Sequence, residues 1–278
     1  MCNYNYGRFI AEAMDSVLKQ TYTHFELIIV DDGSTDNSRK VIQSYNDPRI
    51  RVIFQPNQGQ AAAFNAGFTQ SCGELIAFLD SDDRWEPEKL KKTIRGFHHF
   101  YIPISLVQHN LQMIDVNSQP LNQIHPRIDS GIRDVLKLYL REQHTGFFSA
   151  TSGIVCQRSA LNHVFPLDES WRICADVALT RPLPIFGQIF TLEEPLGYYR
   201  VHDHNNWMNS DKQRQVAENQ NKFNEYTNKW LINYGVVGRI DYKRYHQRIQ
   251  WQKFKRKLRQ GIVSLPGIKS LCILRDRK

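Results

Sequence analysis

Two largely apolar runs, each ending in a cluster of carboxylates, set the strongest limit on how this chain can fold. Phe25-Glu26-Leu27-Ile28-Ile29-Val30 leads into Asp31-Asp32-Gly33-Ser34, and Leu75-Ile76-Ala77-Phe78-Leu79 leads into Asp80-Ser81-Asp82-Asp83. Short apolar runs of this kind suit strands covered on both faces, as in a parallel sheet clothed by helices. Parallel strands bring their carboxyl ends to one edge, where open α/β sheets bind ligands. Like charges this close repel. A hard divalent cation such as Mg²⁺ or Mn²⁺, shared with a ligand's phosphates, compensates them. The same residues also read as a polar turn, with Asp83 as an N-cap ahead of Glu86-Pro87-Glu88.

The segments between these runs continue the alternation. Ile10, Ala13, Met14, Val17 and Leu18 recur at helical spacing after Gly7, and 36–45, 59–69 and 87–97 also read as helices. Residues 50–54 read as a strand. Strand and helix alternating at this spacing predict a Rossmann-like, mostly parallel sheet flanked by helices. The middle third is less regular, with strands over 106–116, 152–158, 189–192 and 196–201 and helices over 131–141 and 175–182. Two long helices, 211–234 and 241–260, complete the pattern. The segment Met1–Asn5 reads as a loop running straight into the first helix, where such a unit normally opens with a strand.

Composition narrows the class. The chain has 278 residues and a 41% apolar fraction, enough for a large core in one domain or one domain with an appendage. Its five cysteines are scattered without CxxC spacing, which argues against a zinc site or a disulfide framework and for a reducing cytosol. No run of 18 apolar residues is long enough to span a bilayer. Charge is uneven: residues 239–278 hold 13 Lys/Arg against Asp241 and Asp276, a net +11. With the whole chain at +8, residues 1–238 carry about −3.

The order Tyr4-Asn5, Gln20-Thr21, Asp31-Asp32-Gly33-Ser34-Thr35-Asp36, Asn57-Gln58-Gly59, Asn65-Ala66-Gly67, Gly73-Glu74, Asp80-Ser81-Asp82-Asp83 resembles a family 2 glycosyltransferase of the GT-A fold. The likeness is strong over residues 3–97 and weaker to 206. It implies a metal-dependent, inverting transfer of a sugar from a nucleotide-diphosphate sugar, with uracil the expected base. Asp32 matches the carboxylate that reads the base and Tyr4 an aromatic beside it. Asp83 matches the direct metal ligand, and Asp82 lies toward the ribose or the metal. Further on, Thr151-Ser152-Gly153, Trp171, Ala175-Asp176 and Tyr199-Arg200-Val201-His202 with Asn205 resemble one branch of the family. Asp176 matches its catalytic base, while as a bare sequence feature it reads as an N-cap. Arg200, His202 and Asn205 follow a strand and suit diphosphate contacts. Ile154 stands where the branch often carries Asn.

The resemblance divides the chain into a GT-A domain, 1–206, and a helical basic extension, 207–278. Within the domain, 1–97 is expected to bind the nucleotide sugar and 98–206 the glycan or lipid-linked acceptor. Basic residues around Ile249, Trp251, Phe254 and Leu258 suit an anionic membrane surface, giving a cytoplasmic protein, peripheral at the inner face. No recognised nucleic-acid module accompanies the basic patch, so nucleic acid is not an expected partner. Family members begin with an apolar strand that this chain lacks. The expectation is therefore a native start upstream of Met1, or a shortened relative that binds nucleotide sugar or membrane with little activity.

Overall fold

The computed structural model describes residues 1–143, 146–203, 205, 210–241, 247, 252 and 253. In the first third the elements run β1 (Cys2–Asn3), α1 (Ile10–Leu18), β2 (Leu27–Asp32), α2 (Ser38–Gln43), β3 (Ile50–Gln55), α3 (Gln60–Gln70), β4 (Leu75–Ala77), β5 (Arg84–Trp85) and α4 (Lys89–His98). Next come β6 (Ile104–His109), β7 (Leu111–Ile114), β8 (Pro120–His125), β9 (Gly131–Arg133), α5 (Val135–Glu142), β10 (Ile154–Gln157) and α6 (Arg158–Leu161). The last are α7 (Ala175–Thr180), β11 (Gln188–Leu192), β12 (Gly197–Arg200) and α8 (Ser210–Asn233).

Strands β1, β2 and β3 pair in parallel, and all six residues of β2 are buried, as its apolar run requires. The amphipathic face of α1 (Ile10, Ala13, Met14, Val17) covers one side, packed with Leu27, Ile29, Leu79 and Trp85. On the other side, the small-residue helix α3 lays Ala63 against Ile28 and Val30. A second sheet, ordered β4-β10-β6-β11-β9, and a third, ordered β5-β12-β7-β8, mix parallel and antiparallel pairs. The expected α/β class holds. Parallel pairing, however, is complete only in the amino-terminal sheet.

Several element expectations are corrected. The single strand expected over 106–116 breaks at Asn110, whose side chain bonds the N–H and C=O of Ile128. The break sends β6 and β7 into different sheets. The helix expected from Gly131 begins at Val135, because Gly131–Arg133 pairs with β11 and Asp134 caps the helix through the N–H of Lys137. The loop expected at the chain's start is β1: Cys2 and Asn3 pair with Val30 and Asp31, and Cys2 bridges to Asp80. Met1 extends this line, donating its ammonium to the carbonyl of Ile28 at 2.8 Å. Beyond Met1 a cavity of about 410 Å³ lies between the Leu27–Ile28 and Leu75–Phe78 edges. The helix expected over 211–234 is α8, whose Phe223 and Leu231 join the core around Trp171 and Ala178. The helix expected over 241–260 lies outside the described residues.

Candidate active site

The carboxyl ends of β1 and β2, the turn after β4 and the start of α7 surround a cleft of about 640 Å³. Asp32, Asp80, Asp82 and Asp176 line it, with Tyr4, Tyr6, Thr151, Arg172 and Tyr199. The two acidic strand ends thus share one site, and Asp176 joins them from the other half of the chain.

Each carboxylate is held differently. Asp32 Oδ1 accepts from Gln55 Nε2 at 2.7 Å and the Gln58 N–H at 3.0 Å, and Oδ2 from the Gly59 N–H at 2.8 Å. These bonds fix the carboxylate and leave acceptor capacity on Oδ2. Gly59 is required there: its φ is +97°, and a Cβ would stand 2.7 Å from Arg172 Cα. Tyr4, 48% exposed, presents its ring at the rim.

The acidic turn divides by direction. Asp80, Ser81 and Asp82 face the cleft. Asp83 turns inward, its oxygens accepting from Ser152 Oγ and the Arg200 N–H. Asp83, the expected direct metal ligand, is not among the residues lining the cleft and here joins the acidic turn to the Ser152 turn and β12. Burial and the Asp82 and Asp80 charges push its carboxyl well above the usual range. Asp80 is pushed up to about 8, by burial first and then by Asp82 and Asp176. Carboxyls crowded until ionisation becomes costly, with hard oxygen donors facing open space, fit a divalent cation. Among the described residues, no group of three or more His, Cys, Asp or Glu could hold a metal ion. Such an ion would therefore rest on few protein ligands and share the rest with its ligand.

Arg200, expected on the diphosphate, is also turned away. At 1% exposure its Nε donates to the Asp82 carbonyl at 2.7 Å and Nη1 to Ser118 Oγ at 2.8 Å, and Nη2 bridges to Glu12. With a further bond from Nη1 to the Asp115 carbonyl, these partners and the Phe9 ring, 4.8 Å from Cζ, make it a strut under the acidic turn. His202 reaches Asp82: Nε2 is 2.9 Å from Oδ2, and Asn205 Oδ1 accepts from the His202 N–H. Asp176 sits in the first turn of α7, where Cys174 rather than Asp176 takes the N-cap position. Gln60 Oε1 fixes the entry by accepting from the Ala175 N–H at 2.9 Å. Burial raises the Asp176 carboxyl, and Arg181 and backbone N–H groups partly offset it.

Sequence reasoning missed Tyr6, Tyr199, Thr151 and Arg172 as cleft residues. Tyr6 lies two residues past Tyr4, and Tyr199 and Thr151 fell within quoted motifs, so proximity was the available signal. Arg172 had none: its guanidinium reaches Gln58 O and Asn57 Oδ1 across more than 110 positions.

The model of the glycosyl transferase family 2 matches residues 1–165, more than half of the chain. The chain belongs to glycosyltransferase family 2. An uncharacterized glycosyltransferase of Nostoc is 40% identical over 266 residues, covering 90% of this chain and 82% of the relative. A UDP-Glc:α-D-GlcNAc-diphosphoundecaprenol β-1,3-glucosyltransferase of Escherichia coli is 38% identical over 119 residues, covering 42% of this chain and 46% of that protein. Among solved structures, Staphylococcus aureus TarS in complex with UDP superposes at TM-score 0.58 and 19% identity, over 83% of this chain and 69% of TarS. A Pyrobaculum calidifontis mannosyltransferase with GDP-Man and Mn²⁺ gives 0.54 and 13%, over 92% and 79%. The family assignment makes this chain a transferase of glycosyl groups, and the structural likenesses agree with its GT-A fold.

Proposed function

We propose that this glycosyltransferase moves a sugar, with inversion, from a uridine-diphosphate sugar to a hydroxyl of a glycan or lipid-linked acceptor. The observation that carries the reading is the convergence of Asp32, Asp80, Asp82 and Asp176 on one cleft from three separate elements, β2, the turn after β4 and α7. Neighbours of the same fold in complex with UDP, UDP-GlcNAc and GDP-Man support a nucleotide-sugar donor. The E. coli relative's name supports a lipid-diphosphate acceptor class.

In this reading Asp32 accepts from the base and Tyr4 covers its face. Asp176 takes the proton from the acceptor hydroxyl as that oxygen bonds to the anomeric carbon. The bond from that carbon to the donor's phosphate oxygen breaks, and its electron pair leaves with the nucleoside diphosphate. One displacement inverts the configuration. Asp82, with Asp80 beside it, would hold a Mg²⁺ or Mn²⁺, which when bound neutralises the departing diphosphate. This assignment moves the metal role from Asp83 to the carboxylates that face the cleft. His202 keeps Asp82 aimed at that position.

The net +11 segment 239–278 is read as the contact with an anionic membrane surface, where lipid-linked acceptors reside. Among the described residues no helix is long and apolar enough to cross a membrane.

The test is calorimetric titration of UDP with Mn²⁺ on this chain and on Asp82→Asn. Mn²⁺-dependent binding, lost in the variant, is the expected result. Failure of the unsubstituted chain to bind UDP, GDP or dTDP under any metal would overturn the reading.

A further inference from the structure

The cleft is poor in cations for a site that must hold a diphosphate. Four aspartates line it, and Arg172 is the one cationic side chain among its described lining residues. That guanidinium is already committed, donating to Gln58 O at 3.0 Å and Asn57 Oδ1 at 2.6 Å. Arg200 faces the core. A metal ion neutralises part of a diphosphate's charge, and the remaining phosphate oxygens need donors.

Two phenols are placed to serve. Tyr6 and Tyr199 line the cleft, and each lies within electrostatic reach of Asp80, Asp82 and Asp83. The two phenols are also within reach of one another. Neither hydroxyl hydrogen-bonds to a described residue, the neighbouring carboxylates included. Each ring is nevertheless fixed. Tyr6 packs edge-on to His202 at a centroid distance of 5.5 Å, and Tyr199, 7% exposed, packs against His125 at 5.1 Å. Rigid rings with free hydroxyls beside a carboxylate cluster are donors waiting for an acceptor.

We propose that the Tyr6 and Tyr199 hydroxyls donate hydrogen bonds to the diphosphate of the bound donor, binding it as it enters and holding it as it leaves. This assignment rests on the donor-site reading above. The chemistry suits the place. A phenol donates without adding a positive charge that would compete with the metal for Asp80 and Asp82. Burial and the surrounding carboxylates push both phenols upward, so they remain protonated donors throughout the working range. Hydrogen bonds to an ionised oxygen are also stronger than those to a neutral one. They therefore strengthen as charge builds on the departing phosphate.

The experiment compares UDP with uridine, at saturating Mn²⁺, on the full chain and on Tyr6→Phe, Tyr199→Phe and the double variant. Phenylalanine keeps the ring packing and removes only the donor, and thermal melting checks the fold. The expected result is a loss of UDP affinity of about tenfold per hydroxyl, with uridine affinity unchanged. UDP affinity unchanged in both variants, or UDP and uridine weakened alike, overturns the assignment. If Tyr199→Phe does not fold, 3-fluorotyrosine at 199, a stronger donor of nearly the same shape, must tighten UDP, and unchanged affinity overturns the proposal. Absence of UDP and uridine binding by the unsubstituted chain would instead sink the donor-site reading, and this assignment with it.

Discussion

His202 Nε2 stands 2.9 Å from Asp82 Oδ2, joining residues 120 positions apart. The contact makes the turn after β12 a support for the acidic turn after β4. Asn205 locks the arrangement, accepting from the His202 N–H and donating to the Arg200 carbonyl at 3.0 Å. Supporting groups of this kind orient a metal-facing carboxylate, and losing one costs about 10–100-fold in metal affinity or activity. His202→Ala should therefore raise the Mn²⁺ concentration needed for half-maximal UDP binding by that factor. Uridine affinity without metal should stay unchanged. Calorimetry at graded Mn²⁺ checks both.

Asp176 is buried enough for its carboxyl to rise above the ordinary range, with Asp80 nearby. In the proposed mechanism Asp176 is the general base, which works only when ionised, so kcat/KM should climb with pH through this raised value and level off above it. Asp176→Asn should lower kcat by about 10²–10⁴-fold while leaving UDP affinity close to that of the parent chain. A pH–rate profile and UDP calorimetry separate the two effects. Equal losses in both would place Asp176 in donor binding instead.

The amino half was legible because its signals are contiguous. A buried apolar run followed by Asp specifies a strand end wherever it occurs, and β2 and β4 delivered Asp32, Asp80 and Asp82 to one cleft. Direction within a turn is another matter. Asp82 and Asp83 are adjacent and chemically identical, yet one faces the cleft and the other the core. What turns Asp83 inward is Ser152 and the Arg200 N–H, 69 and 117 positions away. No local pattern carries that information. The direction of Arg200 is hidden for the same reason, since its side chain is held by Glu12, Ser118 and the Asp82 carbonyl. The two-residue strand β5 pairs only with the distant β12 and has no periodicity to detect.

Lys89 is fully buried, its Nζ 3.4 Å from the centroid of the Trp85 ring and without a hydrogen-bond partner. Burial lowers its pKa well below that of an exposed lysine. Between the lowered and the ordinary value the unfolded chain binds a proton that the folded chain does not, so across that window stability rises with pH until the unfolded lysine itself loses its charge. Lys89→Met keeps the length and removes the amine. It should raise stability at pH 7 and give less benefit at pH 9.5, because the parent chain's penalty shrinks by about 1.4 kcal/mol per pH unit. Urea midpoints at the two pH values check the sign. An equal gain at both would mean that Lys89 is charged in the fold.

The cavity beyond Met1 offers the last test. Leu27, Ile28, Leu75 and Ala77 line it, the strand edges on its two sides are unpaired there, and Met1 fills one ladder position with its ammonium. Burial pushes that amine below its usual pKa, so it too costs stability at neutral pH. Four apolar β-branched residues fused ahead of Met1 would convert the ammonium into an amide N–H and place side chains in the cavity. Each ladder bond contributes about 0.5–1.5 kcal/mol and each buried side chain about 1.5–3 kcal/mol. Ordering each added residue costs about 1–2 kcal/mol. The balance favours stabilisation by about 3 kcal/mol, roughly 5–10 °C in Tm. A Gly-Ser extension of equal length removes the ammonium without filling the cavity and should give only a small part of this gain. Melting curves of the two extended chains decide it: equal Tm values would show that the cavity does not take a strand.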